Sequence, residues 1–495
     1  MGLEIQLGSP IILITVFTVI ALVIDGIWNN KALNYYFSII SLLIVAAFGV
    51  YTLTIPADII ASLDNSETLS RGMLVFGGFP AYFDVLFCVA GVLALFAAKP
   101  YIRREYMEIN EFYSLFLTAI AGMIFIVHAN NLLVLFIGIE TMSVSFYVMA
   151  GFFRKSLYSV EAALKYFLLG AFITGFLVYG IAMIYGGTGS MDLTVIQQNL
   201  MNGQFEAIYF AIGFAMLMIA MSFKVAAFPF HQWAPDVYHG SPTIIAGFMS
   251  TAGKAAAITA FIIIAQKMMI FDTTLLALKN NSETIQLIVA ILSAVTMLLG
   301  NITALAQKDV KRMLAYSSVA HAGYLLMGIV ANNQEGWSGI LFYATAYMFM
   351  QLGAFVVISL FERQNYESGE IKYMKLDDYA GMAKTHPLIA ALMAVFMFSL
   401  AGIPPFAGFF GKYYLFAATI RADYLWLTII AVISSIISMY YYIGLIVYMY
   451  FKDAPEDAPK AELGPAGITL FLTVAGLIVF GIFPSILIDL GTVLF

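Results

Sequence analysis

Residues 216–261 read MLMIAMSFKVAAFPFHQWAPDVYHGSPTIIAGFMSTAGKAAAITAF. An apolar run reaches Lys224, and Pro229 and Pro235 then interrupt the helical period. His231, Gln232, Trp233, Asp236 and His239 form a polar cluster after it. A second apolar run begins near Thr243 and holds Lys254. Two lysines therefore fall about mid-span in two successive stretches, each long enough to cross a bilayer. A charge at the bilayer centre costs roughly 2.5–3.5 kcal/mol on insertion scales, so such a residue faces a bundle interior or a wet cavity and marks function.

The rest of the chain has the same character. It has 495 residues, of which 62% are hydrophobic and 11% charged, against ~45–50% and ~25% in soluble domains. Long unbroken apolar runs, and not short alternating ones, make this an all-α polytopic membrane protein and exclude a barrel. At ~20 residues per span there is room for about fourteen spans: 9–28, 33–55, 76–98, 112–128, 131–152, 160–185, 206–228, 241–265, 284–306, 310–331, 337–361, 386–418, 424–450 and 465–491. The first, Ile11 to Trp28, lacks a basic flank and a cleavage site, so it reads as a retained helix. Spans seven, eight and twelve carry Pro or Gly-Pro interruptions.

Loop charge sets orientation. Of 23 basic residues, 15 lie in alternate loops beginning with the first, 4 in the other loops, and Lys165, Lys224, Lys254 and Lys412 inside spans. The positive-inside rule makes the first set of loops cytoplasmic and puts both termini on the other side. Loops 56–73, 186–205 and 266–283 are longer and poor in basic residues, and a polar Pro-rich linker begins at Lys452. The single cysteine, Cys88, lies in an apolar run and can form neither an internal disulfide nor a cluster site. No helical pair of His or Cys suggests a metal, and GGTGS at 186–190 follows a span and opens no βαβ unit. The expectation is a chain without its own cofactor, metal or nucleic-acid partner.

Glu140, Lys165, Lys224, Lys254 and Lys412 are the charges that stand out within apolar runs. Removal from water disfavours an ammonium group, and a neighbouring carboxylate restores it. A lysine whose partner moves can therefore take up and release a proton, and Glu140 with Lys224 is the pair to test. The plain alternative is a static ion pair that fixes helix packing; for Lys165 and Lys412, it is a side chain reaching toward an interface. His231, His239 and His321 are candidate relays, although His231 and His239 would equally cap a turn. His128 and His386 sit at helix ends and read as interfacial, and Asp84, with no basic neighbour in sequence, reads as packing or capping. Breaks at Pro229 and Pro404-Pro405 would free backbone groups at mid-membrane, as in transporters built on inverted repeats.

Three runs carry a family resemblance. FKVAAFPFHQWAPDVYHGSPT, QKDVKRMLAYSSVAHAGYLLMG from Gln307, and AGIPPFAGFFGK resemble the seventh-span signature, the tenth-span start and the twelfth-span break of the antiporter-like proton-pumping subunits of respiratory complex I, the NADH–quinone oxidoreductase. PDVYHGSP resembles the subunit N form. The resemblance implies two inverted five-helix repeats with helices 7 and 12 broken, spans four to eight (111–265) and nine to thirteen (284–450). They are preceded by a three-helix segment (1–110) and followed by a linker and last span (451–495). It also implies half-channels joined by a polar axis through Glu140, Lys165, Lys224, Lys254 and Lys412. The implied partners are the other membrane-arm subunits, the lipid bilayer and protons, in a cell inner membrane or its equivalent. Redox chemistry, with NADH and a quinone, would lie on other chains. Lys224 stands five residues before Pro229 and Lys412 seven after Pro405, so the two are not equivalent by letter. Two rival readings are a subunit of a multi-subunit sodium/proton antiporter and a non-transporting scaffold.

Overall fold

The computed structural model describes residues 2–28, 30–56, 59–60, 70–105, 111–268, 279–364, 371–454, 461 and 463–494. Most of the expected loops 56–73 and 266–283, and half of the linker after Lys452, lie outside these residues. The apolar runs become α1 (Ser9–Trp28), α2 (Lys31–Leu53), α3 (Gly78–Arg104), α4 (Glu111–Val127), α5 (Leu132–Ala150), α6 (Leu157–Thr188), α7 (Ala207–Lys224), α8 (Trp233–Gly240) and α9 (Thr243–Lys267). They continue as α10 (Lys279–Leu305), α11 (Val310–Ala331), α12 (Gln334–Phe361), α13 (Pro387–Ala401), α14 (Ala407–Arg421), α15 (Leu425–Phe451), α16 (Ala466–Ile482) and α17 (Ser485–Leu494). A two-residue hairpin, Arg363–Gln364 with Ile371–Lys372, closes one loop.

Local sequence sets several helix starts. Asn131, Asp309 and Asn333 accept backbone N–H bonds from Leu133 (2.9 Å), Arg312 (2.8 Å) and Gly336 (2.7 Å), capping α5, α11 and α12. Eleven described helices are long and apolar enough to cross a membrane alone, and α16 with α17 would make twelve. The expected count of fourteen is therefore not reached by length and composition: α4 has 17 residues and α13 has 15. The expected last span, 465–491, is two segments bent by 80°. Pro484 stands at the bend, where it has no amide to continue the helix. Span seven stops at Lys224, not at 228, because Ala226 takes a left-handed backbone (φ 59°).

Burial sorts the helices. The apolar windows of α9, α11 and α12 are 100%, 94% and 94% buried, whereas those of α1, α6 and α15 are 28–33% buried. The centre of the bundle is thus α9, α11 and α12, although α11 is the least apolar of the eleven. Small residues let neighbours close in. A Cβ on Gly122 (α4) or Gly300 (α10) would strike the backbone of α5 or α11.

Two sequence expectations change here. Asp84 has a partner: His128 Nε2 lies 2.8 Å from its Oδ2, and both side chains are buried. His128 is therefore not interfacial; its Nδ1 donates to the Val75 carbonyl at 2.7 Å and ties α3 and α4 to the loop before them.

Candidate functional site

Two helices break inside the bundle, and each break holds a lysine. At the first, Lys224 is the last residue of α7, and the chain runs irregularly to α8. Its side chain is 3% exposed. Nζ donates to Ser143 Oγ of α5 at 2.7 Å and lies 3.9 Å from Glu140 Oε1, one turn earlier on that helix. Thr174 of α6 donates to the same carboxylate oxygen at 2.9 Å. The Glu140–Lys224 pair expected from sequence is formed.

The second break separates α13 from α14. Lys412, in the second turn of α14, is buried. Its Nζ donates back across the break to the carbonyls of Leu400 (3.0 Å) and Ala401 (3.3 Å), and to Ser435 Oγ of α15 (2.9 Å). These are last-turn carbonyls, which an intact helix would have satisfied itself, and a helix C-terminus favours a cation. The Tyr324 ring lies 5.1 Å from the ammonium.

Between the breaks, α9 and α11 carry a polar string. Lys254 follows a π-helical stretch, Met249–Gly253, of the kind that often accompanies functional sites. Its Nζ donates to the Ser318 carbonyl and to Ser318 Oγ (2.5 Å). Ser318, His321 and Tyr324 follow one another at intervals of three on α11, one helix turn each. His321 Nδ1 lies 2.6 Å from the Tyr343 hydroxyl and Nε2 3.1 Å from the Tyr442 hydroxyl. A hydroxyl both donates and accepts, so either ring nitrogen can carry the proton. Tyr442 in turn bonds Ser317, and Asn301 Nδ2 donates to Tyr324 (3.4 Å) and to Ser434 Oγ (2.6 Å). The string reaches from Lys254 to the ring beside Lys412.

The other candidates fall elsewhere. Lys165 does not meet Glu140; Thr174, which does, is nine residues further along α6, about 13 Å by helical rise. Lys165 sits at the bundle end that carries the basic loops, paired with Asp236 (2.8 Å) and Glu161 (2.6 Å) and 41% exposed. Asp236 also takes Arg312 at 2.8 Å. Burial raises the Asp236 carboxyl, but hydrogen bonds from Lys165 and Arg312 outweigh it and hold the group below its ordinary range. His239 Nδ1 is 3.3 Å from Asp309 in the same cluster. His231 lies between α7 and α8 with its ring against Phe228. No hydrogen bond joins His231 to any of these lysines among the described residues.

Sequence reasoning missed a second buried Lys–Glu pair. Lys311, read as a loop residue, is fully buried 3.4 Å from Glu362. It also donates to the Ser241 carbonyl at 2.8 Å, while Tyr101 (2.9 Å) and Thr243 donate to Glu362. With that many donors the carboxylate is fixed, and the pair staples α3, α9, α11 and α12 together. The signal was a lysine one residue inside a helix start. The serines and tyrosines of the string gave no signal, because such residues are common in membrane helices.

Comparison with known proteins supplies a context for this arrangement. Residues 129–438 match the family model described as NADH:quinone oxidoreductase/Mrp antiporter, transmembrane. A curated relative, NADH-quinone oxidoreductase subunit N 1 of Chloroherpeton thalassium, is 39% identical over 97% of this chain and 96% of its own length. A chain of respiratory complex I from Thermus thermophilus superposes with a TM-score of 0.77 at 29% identity, covering 97% of this chain and 98% of that one. A chain of the Mrp complex from Dietzia sp. gives 0.83 at 20% identity over 100% and 97%, a likeness of fold alone.

Proposed function

The chain belongs to the NADH:quinone oxidoreductase/Mrp antiporter family, and we propose that it is a proton-translocating membrane-arm subunit of an NADH–quinone oxidoreductase, of the subunit N type. The curated relative is named as that subunit, and the matched complex I chain spans nearly the whole length. The sodium/proton antiporter reading rests on fold alone. The partners are then the other membrane-arm subunits of complex I, and the membrane is the inner membrane of the cell or its equivalent. The loop charges support a reading with both termini on the non-cytoplasmic side. Donor and acceptor chemistry would belong to other chains of the complex.

The observation that carries this reading is the buried polar string that runs from Lys254 to Lys412 at the second broken helix, with the Glu140–Lys224 pair buried at the first. Lys224 takes a proton from the cytoplasmic side when Glu140 leaves it. Lys254 and His321 pass it along α11, and Lys412 is the exit. Redox events elsewhere reach this subunit as a change of charge or conformation. Coulomb terms in a poorly polarisable interior reach several kcal/mol over a few ångströms, comparable with the ~2.3 kcal/mol that 100 mV does on one charge. The two sets α4–α9 and α10–α15, each with a glycine-tight first pair and a broken fourth span, support two five-helix repeats.

The test is Lys224→Ala in the assembled complex, read as protons moved during NADH oxidation by membrane vesicles. Loss of pumping is expected, and Lys224→Arg should fail likewise because a guanidinium does not release its proton. Pumping at the wild-type level in either variant would exclude Lys224 from the path.

A further inference from the structure

Between the charge cluster at the basic end and the Glu140–Lys224 pair stands a column of aromatic rings. Trp233 of α8 and Tyr166 of α6 are stacked face to face, with centroids 4.6 Å apart and planes 9° from parallel. Tyr147 of α5 meets Tyr166 edge-on at 4.7 Å, and the Lys224 ammonium lies 5.9 Å from the Tyr147 ring. All three rings are buried. Tyr147 occupies space that a Cβ on Gly170 would take. The Trp233 indole N–H is committed to the Phe223 carbonyl at 3.0 Å, on the turn that holds Lys224. The Tyr166–Trp233 stack offers no chain of hydroxyls for a proton to follow.

The cluster outside is mounted on the same two helices. Lys165 precedes Tyr166 on α6, and Asp236 is one turn past Trp233 on α8. The Lys165–Asp236 bond (2.8 Å) therefore spans the seam that the Tyr166–Trp233 stack fills. Asp236 also binds Arg312 in the first turn of α11, the helix that carries Ser318 and His321. Glu161, His239 and Asp309 complete the ring of charge.

We propose that the Tyr166–Trp233 stack is a gate between the basic end of the bundle and Lys224, and that Asp236, through Lys165, is the positioning residue that latches it. Parting the Lys165–Asp236 contact lets α6 and α8 separate and unstacks the rings, so that water reaches the Glu140–Lys224 pair. The bond to Arg312 makes the latch sensitive to movement of α11. Closure of the gate holds back protons once Lys224 is loaded. The inference rests on the transport reading given under Proposed function.

The test uses the whole complex in liposomes, without NADH, and follows the decay of an imposed pH gradient. Trp233→Ala is expected to more than halve the lifetime of the gradient, while Trp233→Phe, which keeps a ring in the stack, preserves it. Asp236→Asn should shorten it less, and Asp236→Glu should restore it. In a Lys224→Ala background the leak through Trp233→Ala should vanish. A Trp233→Ala complex as tight as wild type overturns the gate, and so does a leak that persists without Lys224. An Asp236→Asn complex as tight as wild type overturns the latch. If Trp233→Ala does not assemble, Tyr166→Leu breaks the stack from the other helix and is read by the same outcomes. Normal pumping by Lys224→Ala alone would instead exclude Lys224 from the path, the part of the transport reading on which the gate rests.

Discussion

The two broken helices hold their lysines in different ways. At the first break Lys224 ends its helix and meets groups from another element, the Glu140 carboxylate and the Ser143 hydroxyl. At the second, Lys412 starts from the far side and reaches back to two carbonyls that the break itself has freed. Glu140 is a side chain that can turn away, so the ammonium of Lys224 can lose its countercharge without moving the backbone. The carbonyls of Leu400 and Ala401 are fixed in a helix end, and the charge on Lys412 responds to whatever arrives along the string. The difference suits a loading site at one end and a release site at the other.

The strongest way to break the comparison is at Lys412. Lys412→Ala removes the proton carrier and leaves two buried carbonyls without their donor, at a cost of about 1–3 kcal/mol each. Pumping should be lost and the thermal stability of the complex lowered. Lys412→Gln keeps a donor for the carbonyls, so pumping should be lost with stability largely retained. Equal stability in the two variants would mean that the carbonyl contacts matter little.

Glu140→Gln comes next. It removes the countercharge at the first break only, so proton yield should fall without the loss of stability expected for Lys412→Ala. If Glu140→Gln melts as Lys412→Ala does, the carboxylate is a packing element and the contrast between the breaks fails.

The serines give the smallest effects. Hydrogen bonds to charged groups contribute about 1.5–3 kcal/mol. Ser143→Ala takes from Lys224 its hydrogen-bond partner at 2.7 Å and should slow pumping by about tenfold or more. Ser435→Ala leaves Lys412 its two carbonyls and should change the rate less. The reverse order, measured as NADH-driven proton uptake, would overturn the assignment of partners.

Much of this was legible in the chain itself. Lys224, Lys254 and Lys412 declared themselves because a lysine in an apolar run has few benign explanations, and Pro229 and Pro404-Pro405 marked the breaks. The Glu140–Lys224 pair followed from opposite charges within apolar runs. What the residues did not disclose depends on rotation about helix axes. Lys165 turns to Asp236 at the basic end and not to Glu140. Ser318, Tyr343 and Tyr442 matter only because α9, α11, α12 and α15 face one another. Lys311 looked like a loop charge because positive-inside counting ignores depth, yet it is among the most deeply buried charges of the described residues. Backbone carbonyls as ligands, as at Leu400 and Ala401, have no letter in the sequence at all.

The sharpest discrimination between a moving proton and a static ion pair is the neutral double substitution Glu140→Gln with Lys224→Met. It preserves side-chain size and removes both charges together, so a pair that only holds α5 to α7 should tolerate it. Protons moved per NADH oxidised, measured with the complex reconstituted in sealed liposomes, should drop well below the wild-type ratio. A ratio equal to wild type would make the buried charges packing and nothing more.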